Sequence, residues 1–296
     1  MTTKNMNKTI GGFDKSMTIF WLLAYLIVWV VLGIFRILGD QVSISGLDLL
    51  AMSENLEFGS VIPPLPTWLL YLLSRIADFS FSIAGLVTIY YFMGKEGLSE
   101  LWQRLTKWRI HWGWYLFAIL PLIIYFLAAF LANGDDPSVF ETAVFNGSIL
   151  KTLLFSIQSG LLVSLFFRGA MGEELGLRGY ALPHLQNKLT PFRASVIIGA
   201  LWAAWHIPVL LGRDVVSIVA FVILAFGLSF VFTLMFNGSG GSLIPGLIFH
   251  ATQNWEEGFE IVFPNLLNHD WELVSTLLTL VVGIVAGVIV WKRGRK

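Results

Sequence analysis

Eight stretches of apolar sequence, each near the roughly 20 residues that a helix needs to cross a bilayer, leave this chain few folds to choose from. They run over Met17–Leu38, Trp68–Met93, Trp112–Ala132, Gln158–Leu182, Ala194–Leu211, Val215–Phe236, Ser242–Glu256 and Trp271–Trp291. Hydrocarbon offers no partner to a backbone N–H or C=O, so a lone spanning segment must close its own hydrogen bonds as a helix. The expected fold is therefore all-α: a polytopic membrane protein of about eight transmembrane helices, with residues 1–296 forming a single integral membrane domain. Composition agrees, since only 13% of the 296 residues are charged against about 25% in a soluble domain, and mean hydropathy is +0.75. The first span is longer than a signal-peptide core and has no small-residue cleavage site behind it, so it reads as an uncleaved anchor. The fourth span can be drawn from as early as Leu153, and Pro245-Gly246 should tilt or kink the seventh. Zero net charge gives no reason to expect nucleic acid as a partner. The absence of Cys excludes disulfides, thiolate metal sites and a Cys nucleophile together.

Charges between the spans alternate in sign. Lys4, Lys8 and Lys15 precede the first span, and Asp40, Asp48, Glu54 and Glu57 follow it. Lys95, Arg104, Lys107 and Arg109 come next, then Asp135, Asp136 and Glu141, then Lys188 and Arg193. Glu256, Glu257, Glu260 and Asp270 precede the last span, and Lys292, Arg293, Arg295 and Lys296 close the chain. Cationic loops stay cytoplasmic, so eight spans with both termini in the cytoplasm fit every informative loop.

Three of these helices carry groups that hydrocarbon penalises by a few kcal/mol or more, and such groups need partners and mark function. They are Glu173-Glu174-x-x-x-Arg178, Trp202-x-x-x-His206 and His250-x-x-x-Asn254. Helical geometry puts Glu174 and Arg178 on one face, in the favourable acid-before-base order, and turns Glu173 about 100° away, free to face a cavity. Trp202 shares a face with His206, and His250 with Asn254. Depths counted at about 1.5 Å per residue let the motifs meet in the cytoplasmic half of the bilayer, between the fourth, fifth and seventh helices. Each motif alone has a plain structural reading: an ion pair at a helix end, a packed histidine, an Asn joining two helices. Together they form a kit for amide hydrolysis. A buried carboxylate with an imidazole can hold and deprotonate water, while a second imidazole and an amide can donate to an oxyanion. No His-Glu-x-x-His helix, Gly-x-Ser-Gly or Gly-x-Gly-Asp motif stands in the chain; Asn237-Gly238-Ser239-Gly240 only approaches the second.

EELGLR (173–178), WAAWH (202–206) and HATQN (250–254) resemble, in order, the Glu-Glu-x-x-x-Arg, Phe-x-x-x-His and His-x-x-x-Asn/Asp motifs of the CPBP intramembrane proteases. These are the CAAX-prenyl-protein and bacteriocin-processing proteases, also called the Abi family. The resemblance covers about residues 168–256, which would be the catalytic helices. Trp202 replaces the family's Phe, an exchange that bears on packing rather than chemistry. The resemblance implies Glu173 as general base, His206 orienting the water, and His250 with Asn254 stabilising the oxyanion. Glu174 and Arg178 would brace the site or bind substrate. The substrate would be a membrane-associated protein or peptide, and the setting the lipid bilayer of a bacterial plasma membrane. Two designs fit: a glutamate-activated water without metal, or a zinc held by Glu173, His206 and His250. Asn is a poor zinc ligand, which favours no cofactor. The competing functions are a non-catalytic scaffold or bacteriocin-immunity protein, and an ion or solute transporter, for which the chain lacks paired repeats.

Elsewhere, Arg75 and Asp78 should pair, Arg168 should counter Glu174 or snorkel, and Asn146-Gly147-Ser148 fits a glycosylation acceptor. Trp68, Trp112, Trp271 and Trp291 read as interfacial belts. Because the chain has no Cys, single-Cys labelling checks the topology: a Cys within 94–111 should be shielded from an impermeant reagent added outside, and one within 39–66 or 133–148 should react.

Overall fold

The computed structural model describes residues 14–38, 65–134, 136, 138, 141–142, 148–266 and 269–294. Lys4, Lys8, the acidic run Asp40, Asp48, Glu54 and Glu57, Asp135, Asn146-Gly147 and Arg295-Lys296 lie outside the described residues, as does the side chain of Trp68. Among the described residues every regular element is helical. α1 (Lys15–Leu38), α2 (Leu65–Asp78), α3 (Ser80–Leu105), α4 (Gly113–Ala118) and α5 (Leu120–Asn133) form the first half. A nearly continuous helical rod then runs through α6 (Ile149–Ser156), a π-helical stretch Ile157–Leu162, α7 (Val163–Phe167), α8 (Gly169–Gly176), a second π-helical stretch Leu177–Ala181 and α9 (Leu182–Gln186). α10 (Pro191–Trp205), α11 (Ile207–Leu210), α12 (Val215–Gly238), α13 (Ile244–Gln253), α14 (Glu256–Val262) and α15 (His269–Arg293) complete the chain.

Four helical runs are long and apolar enough to cross a membrane: Lys15–Ile34, Ile149–Gln186, Val215–Gly238 and Asp270–Arg293. A fifth is added if Leu72–Asp78 and Ser80–Leu105, bent by 64° at Phe79, count as one. The other stretches of the eight-span reading are apolar but broken. Pro121 has no N–H for the carbonyl four residues earlier, and the helix stops at Ala118 and restarts at Leu120. Pro208 acts in the same way, dividing α10 from α11 at His206. α13, with Pro245 in its first turn, spans only ten residues. Beyond the second span, the expected 94–111 loop is helical as far as Leu105. Gly94 (φ 63°, ψ −151°) leaves helical geometry and kinks α3 there, a conformation that a side chain would strain.

Polarity runs inward. Leu22 (64% exposed), Tyr91 (76%), Val216 (77%) and Ile284 (67%) face outwards, whereas Ser80, Ser82, Ser195, Ser229 and Thr233 are buried. Lipid tails are as apolar as Leu, so helices here gain little by hiding Leu from lipid. Close packing and interhelical hydrogen bonds must hold them. Ser195 Oγ meets Thr233 Oγ1 at 2.7 Å and Ser229 Oγ donates to Ser195 O at 2.8 Å, joining α10 to α12. Ser82 Oγ donates to Met171 O at 2.6 Å and Trp205 Nε1 to Ser80 Oγ at 2.9 Å, so α3 holds both α8 and α10. Phe20, Trp21, Phe81, Tyr180 and Trp205 form an aromatic cluster between α1, α3 and the motif-bearing rod.

Arg75 and Asp78 pair at 2.9 Å as expected, and Arg75 Nη1 also donates to Phe167 O at 2.8 Å, taking up a carbonyl at the end of α7. Trp112 and Trp291 are exposed as belt residues should be, but Trp271 is only 2% exposed. It lies in a second core with Tyr125 and Phe259, and its Nε1 donates to Tyr125 O at 3.0 Å. Periodicity could not separate an interfacial Trp from a buried one with a private acceptor. At the start of α1, Asp14 accepts from Ser16 Oγ (2.6 Å), the Met17 amide (3.1 Å), His184 (2.8 Å) and Lys188 (3.0 Å). Burial raises its pKa, but these bonds outweigh burial and hold the carboxyl below its ordinary value. The tie between α1 and the end of the rod therefore persists at neutral pH, and weakens only as pH falls through that depressed range.

Glycines also set the close approach of α3 to α8. A Cβ on Gly85 would lie 2.9 Å from Gly176 Cα, and one on Gly176 would collide with Phe81 O. Gly176→Ala should cost about 1–3 kcal/mol by overpacking, read as a fall in melting temperature of the purified protein.

Candidate active site

α8 begins where the rod breaks. Arg168 (φ −131°, ψ −147°) leaves helical geometry and Gly169 resumes it, which aims the following turn at α10 and α13. Glu173 and Glu174 are both buried, at 6% and 0% exposure. Glu174 Oε1 accepts from Arg178 Nη1 at 2.9 Å, the ion pair that the spacing predicts, and also binds His250 Nδ1 at 2.8 Å. One carboxylate oxygen thus ties the first motif to the third. The Arg178 guanidinium is sandwiched by aromatic faces, 4.1 Å from the Phe232 centroid and 5.3 Å from that of Trp202, an arrangement that favours a desolvated cation. Arg178 opens the π-helical stretch, whose Gly179 carbonyl accepts from Arg104 Nη1 at 2.6 Å. π-Helical insertions are frequent at functional sites. A cavity of about 10 Å³ lies beside Glu174 and Arg178, walled by Phe232, Phe236, Ser242, Leu243 and Gly246; that is room for one water.

Glu173 turns the other way, as the helical offset requires. Its Oε2 accepts from Trp202 Nε1 at 2.5 Å. Sequence reasoning treats Trp202 as an aromatic packing exchange; the indole instead supplies a hydrogen-bond donor that Phe lacks and fixes the carboxylate. The signal was available in the residue type, since a buried indole N–H seeks an acceptor. His206 follows at the end of α10, where Nδ1 lies 2.8 Å from Trp202 O. A carbonyl only accepts, so Nδ1 carries the proton and Nε2 is left as an acceptor. The ring is packed between Trp205 (4.6 Å) and Phe221 (4.8 Å). His206 and Glu173 do not hydrogen-bond directly; Trp202 stands between their two helices.

The third motif is pinned from below and behind. Thr252 Oγ1 donates to Ala118 O at 3.0 Å, Trp255 Nε1 to Ser156 O at 2.9 Å, and the Tyr125 hydroxyl to Gln253 O. His250 is 5% exposed. With Nδ1 committed to Glu174, its Nε2 points across the site, and it can donate there only as the imidazolium. Asn254 caps α13 (φ −92°, ψ 12°) and is exposed at the rim.

The convergence is measured by a residue that sequence reasoning missed. A methyl group placed on Gly169 would lie 2.7 Å from His250 Nε2, 3.0 Å from Asn254 Nδ2 and 3.2 Å from Glu173 Oε1. Glu173, His250 and Asn254 therefore surround one small volume, with His206 a helix end away. Its signal was Gly169 standing four residues before Glu173, on the same face. No group of three or more His, Asp or Glu side chains among the described residues is arranged to hold a metal ion. The conditional set Glu173, His206 and His250 is not drawn together as three ligands would be.

Against known proteins, residues 154–255 match the family model described as Type II CAAX prenyl endopeptidase Rce1-like, a stretch that contains all three motifs. Over 95 residues the chain is 30% identical to CAAX prenyl protease 2 of Methanococcus maripaludis, covering 32% of this chain and 33% of that protein. Over 220 residues it is 26% identical to Lysostaphin resistance protein A of Staphylococcus haemolyticus, covering 71% and 55% respectively. The chain thus spans from a third to about half of the length of these curated relatives. The resemblance read from the motifs is borne out over the matched segment.

Two substitutions separate the roles in this cluster. Arg178→Ala should destabilise by about 3–5 kcal/mol, the cost of stranding a buried charge. Trp202→Phe should cost about 1.5–3 kcal/mol, the worth of one hydrogen bond to a charged group. Melting temperatures of the purified variants, compared with wild type, check both.

Proposed function

We propose that this protein is an intramembrane endopeptidase that hydrolyses a peptide bond of a membrane-associated protein or peptide. The observation that carries the reading is the approach of Glu173 Oε1, His250 Nε2 and Asn254 Nδ2 to one point beside Gly169. Water held at Glu173 Oε1 attacks the scissile carbonyl carbon while that carboxylate takes its proton. The Trp202 indole occupies Oε2 and so leaves Oε1 for this task. His206, protonated on Nδ1 by its bond to the Trp202 carbonyl, offers Nε2 as acceptor to the second water hydrogen and orients the nucleophile. The carbonyl π bond opens to a tetrahedral oxyanion, which His250 Nε2–H and the Asn254 amide stabilise. Collapse breaks the C–N bond, and the proton held by Glu173 passes to the leaving nitrogen.

The site is read as working without a metal, because each of its two carboxylates has an oxygen already engaged, by Trp202 or by Arg178 and His250, and no three-ligand cluster stands among the described residues. The catalytic helices 168–256 would sit in a single membrane domain of about eight spans, between the fourth, fifth and seventh, with both termini cytoplasmic. The name of one relative, CAAX prenyl protease 2, makes a lipid-modified C-terminal tail the first substrate to test. The other relative, named for lysostaphin resistance, keeps a second reading open, in which the site binds a membrane partner without turnover.

Glu173→Gln should abolish cleavage while leaving the fold intact, because the amide keeps the shape and cannot take a proton. Asn254→Ala should lower turnover by about 10²–10³, the usual cost of one oxyanion donor. Metal content and activity should be unaffected by chelation. Stoichiometric zinc that is lost with His250→Ala, with activity restored by zinc after chelation, would overturn the metal-free mechanism. A phenotype that survives Glu173→Gln would favour the binding role.

A further inference from the structure

The glycines of the motif helix do two different jobs. A Cβ on Gly172 would strike Asp78 O and one on Gly176 would strike Phe81 O, both backbone atoms of the neighbouring α2–α3 segment. Those two glycines serve helix packing. At Gly169 the three atoms nearest to an added Cβ are side-chain atoms instead: His250 Nε2, Asn254 Nδ2 and Glu173 Oε1. Conformation does not demand glycine there either, since Gly169 is not among the residues with positive φ, and within a helix Gly is disfavoured relative to Ala. What its missing side chain allows is close approach: a methyl group there would press on all three polar atoms that the proposed reaction uses.

We propose that Gly169 holds open the slot for the scissile peptide group, so that the substrate backbone lies against Gly169 Cα with its carbonyl towards His250 and Asn254. This rests on the protease reading of the same site and adds a positioning residue outside its three motifs. A side chain at 169 would enter that slot 2.7 Å from His250 Nε2, closer than real Cβ contacts come. It would exclude the substrate backbone while leaving helix packing alone. The slot also favours an extended, unprotected stretch of peptide, since a substrate segment already folded as a helix buries its carbonyls in its own hydrogen bonds.

The test uses the full chain in membranes, with wild type, Glu173→Gln, Gly169→Ala, Gly172→Ala and the double variant Glu173→Gln/Gly169→Ala expressed side by side. The probe is the membrane peptidome of the expressing cells, followed by mass spectrometry, together with the uncleaved polypeptides that copurify with each protein. Gly169→Ala should melt clearly above Gly172→Ala, because it presses on side chains rather than backbone, while its cleavage products fall about 100-fold, the scale of an ångström-level misplacement. Gly172→Ala should instead melt well below wild type. Uncleaved substrate retained by Glu173→Gln should drop about tenfold in the double variant, which a change in chemistry alone would not cause. Gly169→Ala turning over within about threefold of wild type, or melting as low as Gly172→Ala, overturns the proposal and leaves the protease reading standing. Identical peptidomes for wild type and Glu173→Gln would remove that reading, and the slot with it.

Discussion

Glu174 Oε1 is the atom on which the site depends. Fully buried, it accepts from Arg178 Nη1 and meets His250 Nδ1 within a few tenths of an ångström of the same distance. An isolated carboxylate there would be prohibitively expensive, and so would an isolated guanidinium. Together with the aromatic faces of Phe232 and Trp202 over Arg178, each group makes the others tolerable. The geometric consequence is larger than the energetic one. Because Glu174 takes Nδ1, His250 cannot rotate, and its Nε2 is committed to the volume beside Gly169. The first and third motifs, 76 residues apart in sequence, become one rigid unit.

The adjacent glutamates then divide their work by angle. Successive residues of a helix point about 100° apart, so two neighbouring carboxylates on one turn cannot satisfy the same partners. Glu174 faces the structural pair and is saturated on one oxygen. Glu173 faces α10, where the Trp202 indole binds Oε2 while Oε1 lies on the side of Gly169. A single acid could not brace His250 and also accept a proton from water, because the brace must stay charged throughout. The doubling in Glu173-Glu174 is therefore what the proposed mechanism would require of one helix.

How much of this was legible in the sequence follows from what each signal measures. Helical spacing exposes which residues share a face, so Glu174 with Arg178 and His250 with Asn254 could be read directly, and the ion pair has the expected partners. Hydropathy measures apolar content and is blind to continuity. It therefore joined α4 to α5 and α10 to α11 across breaks where Pro121 and Pro208 interrupt the ladder. Long-range acceptors were invisible: the Trp202 indole is legible as a donor, but nothing local names Glu173 as its acceptor, or marks Trp271 as a core residue bonded to Tyr125 rather than an interfacial anchor. Gly169 was missed because its contribution is an absence, and only the positions of His250 and Asn254 give that absence a shape.

The breaks that hydropathy could not see are part of how the site is built. An unbroken rod from Ile149 to Gln186 would run every side chain past α10 and α13 at a fixed pitch. Leaving helical geometry at Arg168 and inserting π-helical turns on either side resets the phase of α8. It can then present packing glycines to α3 and its glutamates to the other two motif helices at once. Each break frees backbone groups that lipid cannot satisfy, and a cation takes up a carbonyl near each end of α8. Arg75 bonds the Phe167 carbonyl and Arg104 that of Gly179. Both arginines come from the α2–α3 segment that also packs against Gly172 and Gly176. The first half of the chain carries none of the three motifs, yet it holds the motif helix in the phase that turns Glu173 towards Trp202 and Glu174 towards His250.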